Sequence, residues 1–330
     1  MTDWHKRKRL EAAIAGERPD RLPVALWRHW PGDDQDAAAL AAAHILWQQT
    51  YDWDFLKVSP SSSYCLDDWG AGTRWAGHPE GTREYTGRVV QTPAGWPQLP
   101  LLDPTKGMLA TQIEALRLIT QALGDSVPVI ATIFSPLSQA KNLAGGDQML
   151  RHMRQAPDAF AQGLQTITES TLRYLEAAKK AGISGIYYAV QHTRLQLLSQ
   201  AEFQRFGQPY DETILSAASD LWLNVLHVHG EGAYLDLVAD YPVPVVNWHD
   251  REGDVDLASG LRQIRGAANG GVSRWSLHQE SPAAALAEAR DALGQTGSRR
   301  YILGTGCVIM VTTPTRNIRA LREFAAQQTA

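Results

Sequence analysis

A pair of histidines separated by a single residue is the part of the sequence best suited to metal chemistry. His227 and His229 lie in a largely apolar run, LWLNVLHVHG at 221–230, that is typical of a β-strand. Side chains at positions i and i+2 of a strand point to the same face, so both imidazoles can reach one ion. Cys307, in GTGCVIM, offers the soft thiolate that zinc prefers. These three residues predict a catalytic zinc with one open coordination position. The alternative is two histidines that are hydrogen-bonded to substrate or backbone, beside a buried cysteine that acts as a small apolar residue.

The elements that would position these residues alternate along the chain. Eight short runs are rich in β-branched or aromatic residues and have turn residues at an end, as buried parallel strands do. These runs are 22–30, 54–60, 127–135, 182–190, 221–230, 243–250, 270–277 and 299–306. Helical patterns lie between them at 33–50, 105–123, 157–181, 199–206, 254–265, 281–293 and 315–327. The alternation predicts an α/β protein, a single (β/α)8 TIM barrel domain over residues 1–330. A doubly wound open sheet is the alternative, although no GxGxxG segment follows the first run.

Two segments fall outside this repeat. Residues 4–15 predict an N-terminal helix before the first strand. Residues 69–104 are rich in Gly and Pro and predict a hairpin insertion after the second strand. Segments that follow barrel strands lie at the catalytic face, so we expect this insertion to form a lid or one wall of the cleft.

The strand ends supply the remaining candidate site residues, because the active sites of such barrels lie at the carboxyl ends of the strands. Six of the ten histidines follow strand-like runs: His29, His192, His227, His229, His249 and His278. The candidate catalytic residues are Arg28, His29, His192 and His249. The candidate substrate-binding residues are Arg28, Ser59, Tyr188, Gln191 and Asn247. An arginine at a barrel mouth can clamp a carboxylate or phosphate with its planar fork, and a salt bridge to Asp33 or Asp34 is the alternative for Arg28. We rank His249 ahead of Glu231 as a replacement ligand or as a residue that hydrogen-bonds to a ligand.

Composition narrows the class of protein. The chain has 330 residues, with 31 Lys and Arg against 35 Asp and Glu, a net charge of −4. Nucleic-acid-binding proteins usually carry a basic excess, so we expect no nucleic-acid partner. Two cysteines exclude a disulfide scaffold and favour the cytoplasm, and the basic N-terminal run lacks the apolar segment of a signal peptide. The apolar stretch 128–137 is about half the length that spans a bilayer, so no membrane association is expected.

Three segments resemble the uroporphyrinogen decarboxylase superfamily. RLEAAIAGERPDRLPVALW at 9–27 resembles its opening helix and its entry into the first strand. YDWDFLKVSPSSSYCLDDWG at 51–70 resembles its second strand and the following turn. LGTGCVIMVTTPTRNIRAL at 303–321 resembles its closing segment, with Pro314 and Asn317 in a Pro-x-x-Asn spacing. Because these segments lie at both ends of the chain, the resemblance is full length and implies a (β/α)8 barrel.

The tetrapyrrole decarboxylases of this superfamily differ from the chain at four places. Of the arginines in their loop after strand one, this chain has only Arg28. At the position of their Asp after strand two, this chain has Ser59 or Pro60. Asn142 lies near the position of their Tyr after strand three. Their Gly-His-Gly in the last loop reads Thr-Gly-Cys at 305–307. These departures make tetrapyrrole decarboxylation the weaker implication.

The cobalamin-linked methyltransferases of the superfamily are the closer resemblance. They bind zinc through a His-x-Cys pair after strand five and a Gly-Cys segment after strand eight. Here His227 and His229 form the pair, with His in place of one Cys, and Gly306 precedes Cys307. The resemblance implies zinc-dependent transfer of a methyl group between a corrinoid, such as methylcobalamin, and a thiol acceptor. It implies a small-molecule substrate and a corrinoid protein as partner, and it leaves a homodimer open.

Two functions of other classes stay open. A lyase, such as a carboxylase or decarboxylase, would act on a carboxylated small molecule or a tetrapyrrole. Arg28 would be its clamp, and His192 or His249 its acid and base. A non-catalytic protein that binds a corrinoid or tetrapyrrole is the third interpretation. Metal analysis separates the zinc-dependent methyltransferase from the other two.

Overall fold

The computed structural model describes residues 4–191 and 196–328. Its strands are β1 Leu56–Val58, β2 Thr73–Arg74, β3 Glu84–Tyr85, β4 Val129–Phe134, β5 Gly185–Val190, β6 Val225–Val228, β7 Val245–Trp248, β8 Ala267–Val272 and β9 Tyr301–Thr305. Its helices are α1 Lys6–Ile14, α2 Ala37–Tyr51, α3 Tyr64–Asp67, α4 Gly107–Leu123, α5 Pro136–Ala144, α6 Gly146–Gln155, α7 Pro157–Lys180, α8 Gln200–Phe206, α9 Gln208–Ala217, α10 Leu235–Val238, α11 Leu257–Gln263, α12 Arg274–Gln279, α13 Pro282–Thr296 and α14 Thr315–Gln327. Short 3-10 helices cover Pro93–Gln98 and Gly124–Ser126.

A curled parallel sheet of seven strands forms the centre of this α/β fold, in the order β1-β4-β5-β6-β7-β8-β9. The first predicted strand, 22–30, contributes a single parallel bridge between Val24 and Leu303. The Ala25 N–H donates to the Leu303 carbonyl at 3.1 Å, and the Asp54 N–H donates to the Val24 carbonyl at 3.0 Å. This segment therefore lies between β9 and the start of β1, the two edges of the sheet.

The seventh predicted strand, 270–277, is displaced in the structure. The strand covers Ala267–Val272, and the Ser273 side chain caps α12, which begins at the next residue. His278 therefore lies in a helix and not at a strand end. The strand sequence AANGGV carries little β-propensity, so the aromatic and aliphatic residues of the following helix shifted the prediction.

Helix boundaries follow the local signals in the sequence. The Asp36 side chain accepts a hydrogen bond from the Ala39 N–H at 2.8 Å and begins α2. Ser199 and Glu202 form a capping box at the start of α8. None of the helices in the described parts of the chain is both long and apolar enough to span a bilayer.

A buried carboxylate ties the N-terminal segment to the sheet. Asp54 is fully buried and accepts hydrogen bonds from Arg9 at 2.8 Å and from Arg21 at 2.8 and 2.9 Å. Its second oxygen also accepts from the Val24 N–H at 2.8 Å. Because a buried charge is costly without such partners, this network fixes α1 and the 22–30 segment against the start of β1.

The 69–104 insertion lies at the carboxyl ends of the strands. β2 and β3 pair antiparallel, with Thr73 opposite Tyr85. The Val311 N–H, after β9, donates to the Pro79 carbonyl at 2.8 Å. Gly81 has a φ of 79°, and an added Cβ would lie 2.8 Å from the Cβ of His29. A residue with a side chain at this position would therefore push the hairpin away from the end of the first predicted strand.

Candidate metal centre

The ends of three strands bring together four side chains of types that can ligate a metal. They are His227, His229, His249 and Cys307. His227 lies on β6 and His229 just after it, while the other two follow β7 and β9. Gly306 allows the loop that carries Cys307 to pass close to the end of β7. A Cβ added at Gly306 would lie 2.6 Å from the Trp248 carbonyl oxygen and would displace this loop.

The spacing of the ligand atoms fits a zinc ion. All four atoms lie within 4.8 Å of one another. His229 Nδ1 is 3.3 Å from both His227 Nε2 and His249 Nε2. The Cys307 sulfur lies 3.8 Å from His227 Nε2 and 3.7 Å from His229 Nδ1. Zinc bonds of about 2.0 Å to nitrogen and about 2.3 Å to sulfur separate tetrahedral ligands by roughly 3.3–3.6 Å.

The structure brings His249 together with the three residues that the sequence predicts as ligands. The register between β6 and β7 pairs His227 with Asn247, so the residues two positions further along, His229 and His249, also lie side by side. Four protein donors fill a tetrahedral site, whereas the sequence predicted three donors and an open position. The difference arises because the register between β6 and β7 determines which residue lies beside His229. The spacing of residues along the sequence does not reveal this register.

Charges in the cluster favour a thiolate at Cys307. Burial disfavours a charged sulfur, but the three surrounding imidazoles hold the pKa of the Cys307 thiol well below its ordinary value. Burial lowers the pKa of His227 to about 4, so this imidazole is neutral. Burial opposes protonation of His249 as well, yet Cys307 and Glu252 raise its pKa to about 9. These shifts favour a negative charge on Cys307 and a proton on His249, and a divalent cation bound to both residues would displace that proton.

Asn247, which the sequence predicts to bind substrate, hydrogen-bonds to His227 and to two backbone carbonyls. Its Nδ2 donates to the carbonyl oxygens of Asn269 at 2.7 Å and Thr305 at 3.0 Å. Its Oδ1 accepts from His227 Nδ1 at 2.7 Å and from the Tyr187 hydroxyl at 3.0 Å. Asn247 is fully buried, with its polar atoms bound to protein groups, so it orients His227 and has no surface left for a substrate.

Strand β5 directs Tyr187 toward the site and Tyr188 away from it. The Tyr187 ring stacks on His227, with the ring centroids 5.1 Å apart. The Tyr188 hydroxyl donates to Asp211 of α9 at 2.6 Å, on the opposite face of the sheet. Tyr188, which the sequence predicts to bind substrate, thus packs between the sheet and the helices. Both strand faces are buried, so the sequence GIYYAV did not show which tyrosine faces the site.

A cleft with a cavity volume of about 200 Å³ opens beside the cluster. The polar and aromatic residues that line it include His29, Lys57, Ser62, Glu80, Thr82, Arg83, Tyr85, Lys141, Tyr187 and Gln191. The insertion thus provides part of the wall. Lys57 Nζ donates to Ser59 Oγ at 3.0 Å and lies 4.6 Å from the centroid of the Tyr187 ring. Burial lowers the pKa of Lys57 to about 7, so its charge is poorly solvated and suited to an anionic partner.

One predicted catalytic residue and one predicted substrate-binding residue face this cleft. His29 and Gln191 both line it. His29 Nδ1 lies 3.1 Å from the Pro60 carbonyl, and burial lowers the pKa of His29 to about 4, so a neutral imidazole faces the cleft. His192, predicted as catalytic, lies outside the described residues.

Arg28 and Ser59 are engaged elsewhere and are not among the residues that line the cleft. The Arg28 guanidinium stacks over the ring of Trp30, 4.0 Å from its centroid, and donates to the Val311 carbonyl at 2.5 Å. Ser59 is fully buried and supports Lys57. The predicted anion clamp at Arg28 thus has the geometry of a structural contact to the loop after β9.

Glu252 was not predicted from the sequence. Its Oε2 lies 3.4 Å from His249 Nδ1, so the carboxylate orients this imidazole and leaves Nε2 for the cluster. A tight turn brings the two together, with the Gly253 N–H donating to the His249 carbonyl at 2.8 Å. The signal available in the sequence was the spacing His-Asp-Arg-Glu-Gly at 249–253.

Comparison with known proteins gives a consistent result. A family model described as Uroporphyrinogen decarboxylase (URO-D) matches residues 62–328. The chain is similar to the methylcobamide:CoM methyltransferase MtaA of Methanosarcina barkeri, with 28% identity over 342 residues, 97% of each protein. The uroporphyrinogen decarboxylase of Syntrophotalea carbinolica is 34% identical over 157 residues, which span 46% of this chain and 45% of that protein. A solved methyltransferase structure from Methanosarcina mazei has a TM-score of 0.87 at 20% identity, with 98% of this chain and 99% of that chain covered, which shows a shared fold.

Proposed function

Since the chain belongs to the uroporphyrinogen decarboxylase family, we propose that it is a zinc-dependent methyltransferase acting between a corrinoid and a thiol acceptor. The observation that carries the proposal is the convergence of three imidazole nitrogens and one sulfur within 4.8 Å beside the cleft. The full-length similarity to a methylcobamide:CoM methyltransferase supports the same reaction class.

The zinc would be held by His227 Nε2, His229 Nδ1, His249 Nε2 and Cys307 Sγ. When bound, zinc lowers the pKa of a thiol that shares the site and so supplies a thiolate at neutral pH. With four protein donors at the site, an acceptor thiol would bind zinc in place of one of them or in addition to them.

Hydrogen bonds within the chain orient the imidazoles that would hold the zinc. Asn247 accepts from His227 Nδ1 and Glu252 faces His249 Nδ1, so both imidazoles turn their other nitrogen toward the cluster. The acceptor thiol would lose its proton to solvent, and its sulfur would then attack the methyl carbon. A carbon–sulfur bond would form as the cobalt–carbon bond breaks, with the electron pair of that bond left on the corrinoid. The cleft would hold the acceptor, with His29, Lys57 and Gln191 as proposed contacts. A corrinoid protein would deliver the methyl group at the cleft mouth.

We also propose that the 22–30 segment closes the sheet as an eighth strand, in one (β/α)8 barrel domain over residues 1–330. The bridge from Val24 to Leu303 and the hydrogen bond from Asp54 to Val24 support this closure. Limited proteolysis should cut within 69–104 before any other site. Two stable fragments split near the middle of the chain would contradict a single domain.

A lyase that adds or removes a carboxyl group is the second candidate function. Among the described residues that line the cleft, Lys57, Arg83 and Lys141 are basic and Glu80 is acidic, a balance that favours an anionic small molecule. The partial similarity to a uroporphyrinogen decarboxylase points the same way. In such an enzyme Lys57 would take the role of anion contact that the sequence assigned to Arg28.

Methyl transfer from methylcobalamin to a thiol tests the proposal. Zinc-loaded protein, methylcobalamin and coenzyme M are mixed without oxygen, and the thioether is measured by mass spectrometry beside the change in corrinoid absorbance. We expect turnover that is lost in chelator-treated protein and restored by zinc. Equal thioether formation with and without zinc would contradict the proposal. Release of carbon dioxide from a carboxylated substrate by the zinc-free protein would favour the lyase.

A further inference from the structure

Four charged side chains connect the cluster to the hairpin insertion in an unbroken series. Glu252 Oε2 lies 3.4 Å from His249 Nδ1. Arg274 Nε donates to both carboxylate oxygens of Glu252, at 3.1 and 3.2 Å. Nη1 of the same guanidinium donates to Glu80 Oε1 at 2.5 Å. Glu80 lies in the insertion, 194 residues before Arg274, so the series joins two distant parts of the chain.

These contacts are largely shielded from water. The exposed fractions of the side chains are 4% for His249, 8% for Arg274, 15% for Glu252 and 19% for Glu80. Coulombic contacts at this depth are screened by solvent and salt much less than contacts at the surface. The hairpin also contains a surface pair, Arg74 with Glu84, whose side chains are 69% and 56% exposed.

Arg274 holds the central place in this series. It is the first residue of α12, so the Ser273 cap fixes where its side chain starts. Its planar fork contacts Glu252 through Nε and Glu80 through Nη1, a geometry that a lysine ammonium cannot reproduce. Arg274 belongs to neither the four candidate ligands nor the residues lining the cleft, so any effect on the reaction acts through its two glutamates.

We propose that Arg274 is a positioning residue that couples metal binding at His249 to closure of the insertion hairpin over the cleft. The inference rests on the metal site of the proposed function. Ligation of His249 through Nε2 leaves Nδ1 to donate to Glu252, which holds the carboxylate where Arg274 can bind Glu80 as well. Glu80 and Arg83 of the insertion line the cleft, so the same contact shapes the acceptor pocket.

Thermodynamic linkage makes the coupling reciprocal. If the hairpin contact strengthens zinc binding by some factor, zinc must stabilise the closed hairpin by the same factor. The two quantities can be measured separately, zinc affinity by competition with a chromophoric chelator and hairpin closure by hydrogen exchange over residues 72–86. Neither measurement uses methyl transfer.

Glu80→Gln, with Glu84→Gln as matched control, tests the coupling in the full chain. We expect Glu80→Gln to weaken zinc binding roughly 10-fold and to make hairpin exchange independent of zinc. Glu84→Gln makes the same substitution in the same hairpin at an exposed pair, and zinc affinity should stay within about 2-fold. Arg274→Lys should show a loss like that of Glu80→Gln, because the charge is kept but the fork is lost.

The outcomes separate this inference from the proposed function. Wild-type affinity for zinc in both Glu80→Gln and Arg274→Lys, with hairpin exchange that zinc does not change, would overturn the coupling and leave the metal site standing. A wild-type protein that binds no zinc would overturn both. Thermal unfolding of each metal-free variant checks that a lower affinity does not come from loss of the fold.

Discussion

His227 Nδ1 lies 2.7 Å from Asn247 Oδ1, and the surroundings of that amide determine the tautomer of the imidazole. Asn247 Nδ2 donates to the carbonyl oxygens of Asn269 and Thr305, which can only accept. The Oδ1 atom must therefore face His227 and accept from its Nδ1–H. The Nε2 lone pair of His227 is left for the cluster, as a metal ligand requires.

Replacing Asn247 with leucine should weaken zinc binding. His227 would lose the hydrogen bond that orients its ring. Loss of a residue that hydrogen-bonds to a metal ligand typically lowers metal affinity about 10- to 100-fold. The free energy of unfolding should also fall by about 1–3 kcal/mol, because two buried carbonyls lose their donor. Chelator competition and urea unfolding of the metal-free protein measure the two effects. A folded Asn247→Leu variant with wild-type zinc affinity would contradict the orienting role.

Cys307→Ala should abolish zinc retention with little effect on the stability of the metal-free protein. The substitution removes the only sulfur of the cluster, and Cys65→Ala is a matched control, since Cys65 is also a free buried cysteine but lies away from the cluster. Elemental analysis of protein purified without chelator measures the result. Zinc retained by Cys307→Ala but lost by Cys65→Ala would place the metal elsewhere.

Asp211 should make stability fall as pH rises from about 4 to about 7. It accepts hydrogen bonds from Tyr188 at 2.6 Å and Tyr241 at 2.9 Å, and burial raises its pKa from 3.8 to about 7. Between these values the folded protein keeps a proton that the unfolded chain has released, so unfolding becomes easier with each increase in pH. Above about pH 7 both states are ionised and this contribution stays constant.

Asp211→Asn removes that contribution because the amide does not ionise. The variant should therefore gain stability relative to wild type between about pH 5 and about pH 8, by more than about 1 kcal/mol. Urea unfolding of the two metal-free proteins across this range measures the difference. A difference that does not change with pH would show that Asp211 is ionised throughout.

Arg28→Lys should affect stability and leave acceptor binding unchanged. Lysine loses the stacking over Trp30 and the directed hydrogen bond to Val311, which together contribute about 1–2 kcal/mol. Urea unfolding and the KM for the thiol acceptor report on the two roles separately. A higher KM with unchanged stability would restore the anion clamp inferred from the sequence.

Part of the cluster could be predicted from the sequence, because two of its features are local sequence patterns. The i, i+2 spacing of His227 and His229 within a strand was sufficient to put them on one face, and the Gly-Cys segment indicated Cys307. His249 joined them only through the register between β6 and β7, which depends on packing of the whole sheet. The direction in which the Asn247 and Tyr188 side chains point depends on which face of their strand meets the helices. Where both faces of a strand are buried, apolar and polar residues do not alternate, so the sequence does not show which face a side chain is on.

Zinc K-edge X-ray absorption of the zinc-loaded protein tests the central claim most directly. The proposed site predicts one zinc per chain with three nitrogen ligands at about 2.0 Å and one sulfur at about 2.3 Å. Addition of a thiol acceptor should raise the sulfur count from one to two. A spectrum without sulfur, or a sulfur count that the thiol does not change, would contradict a zinc centre that activates the acceptor.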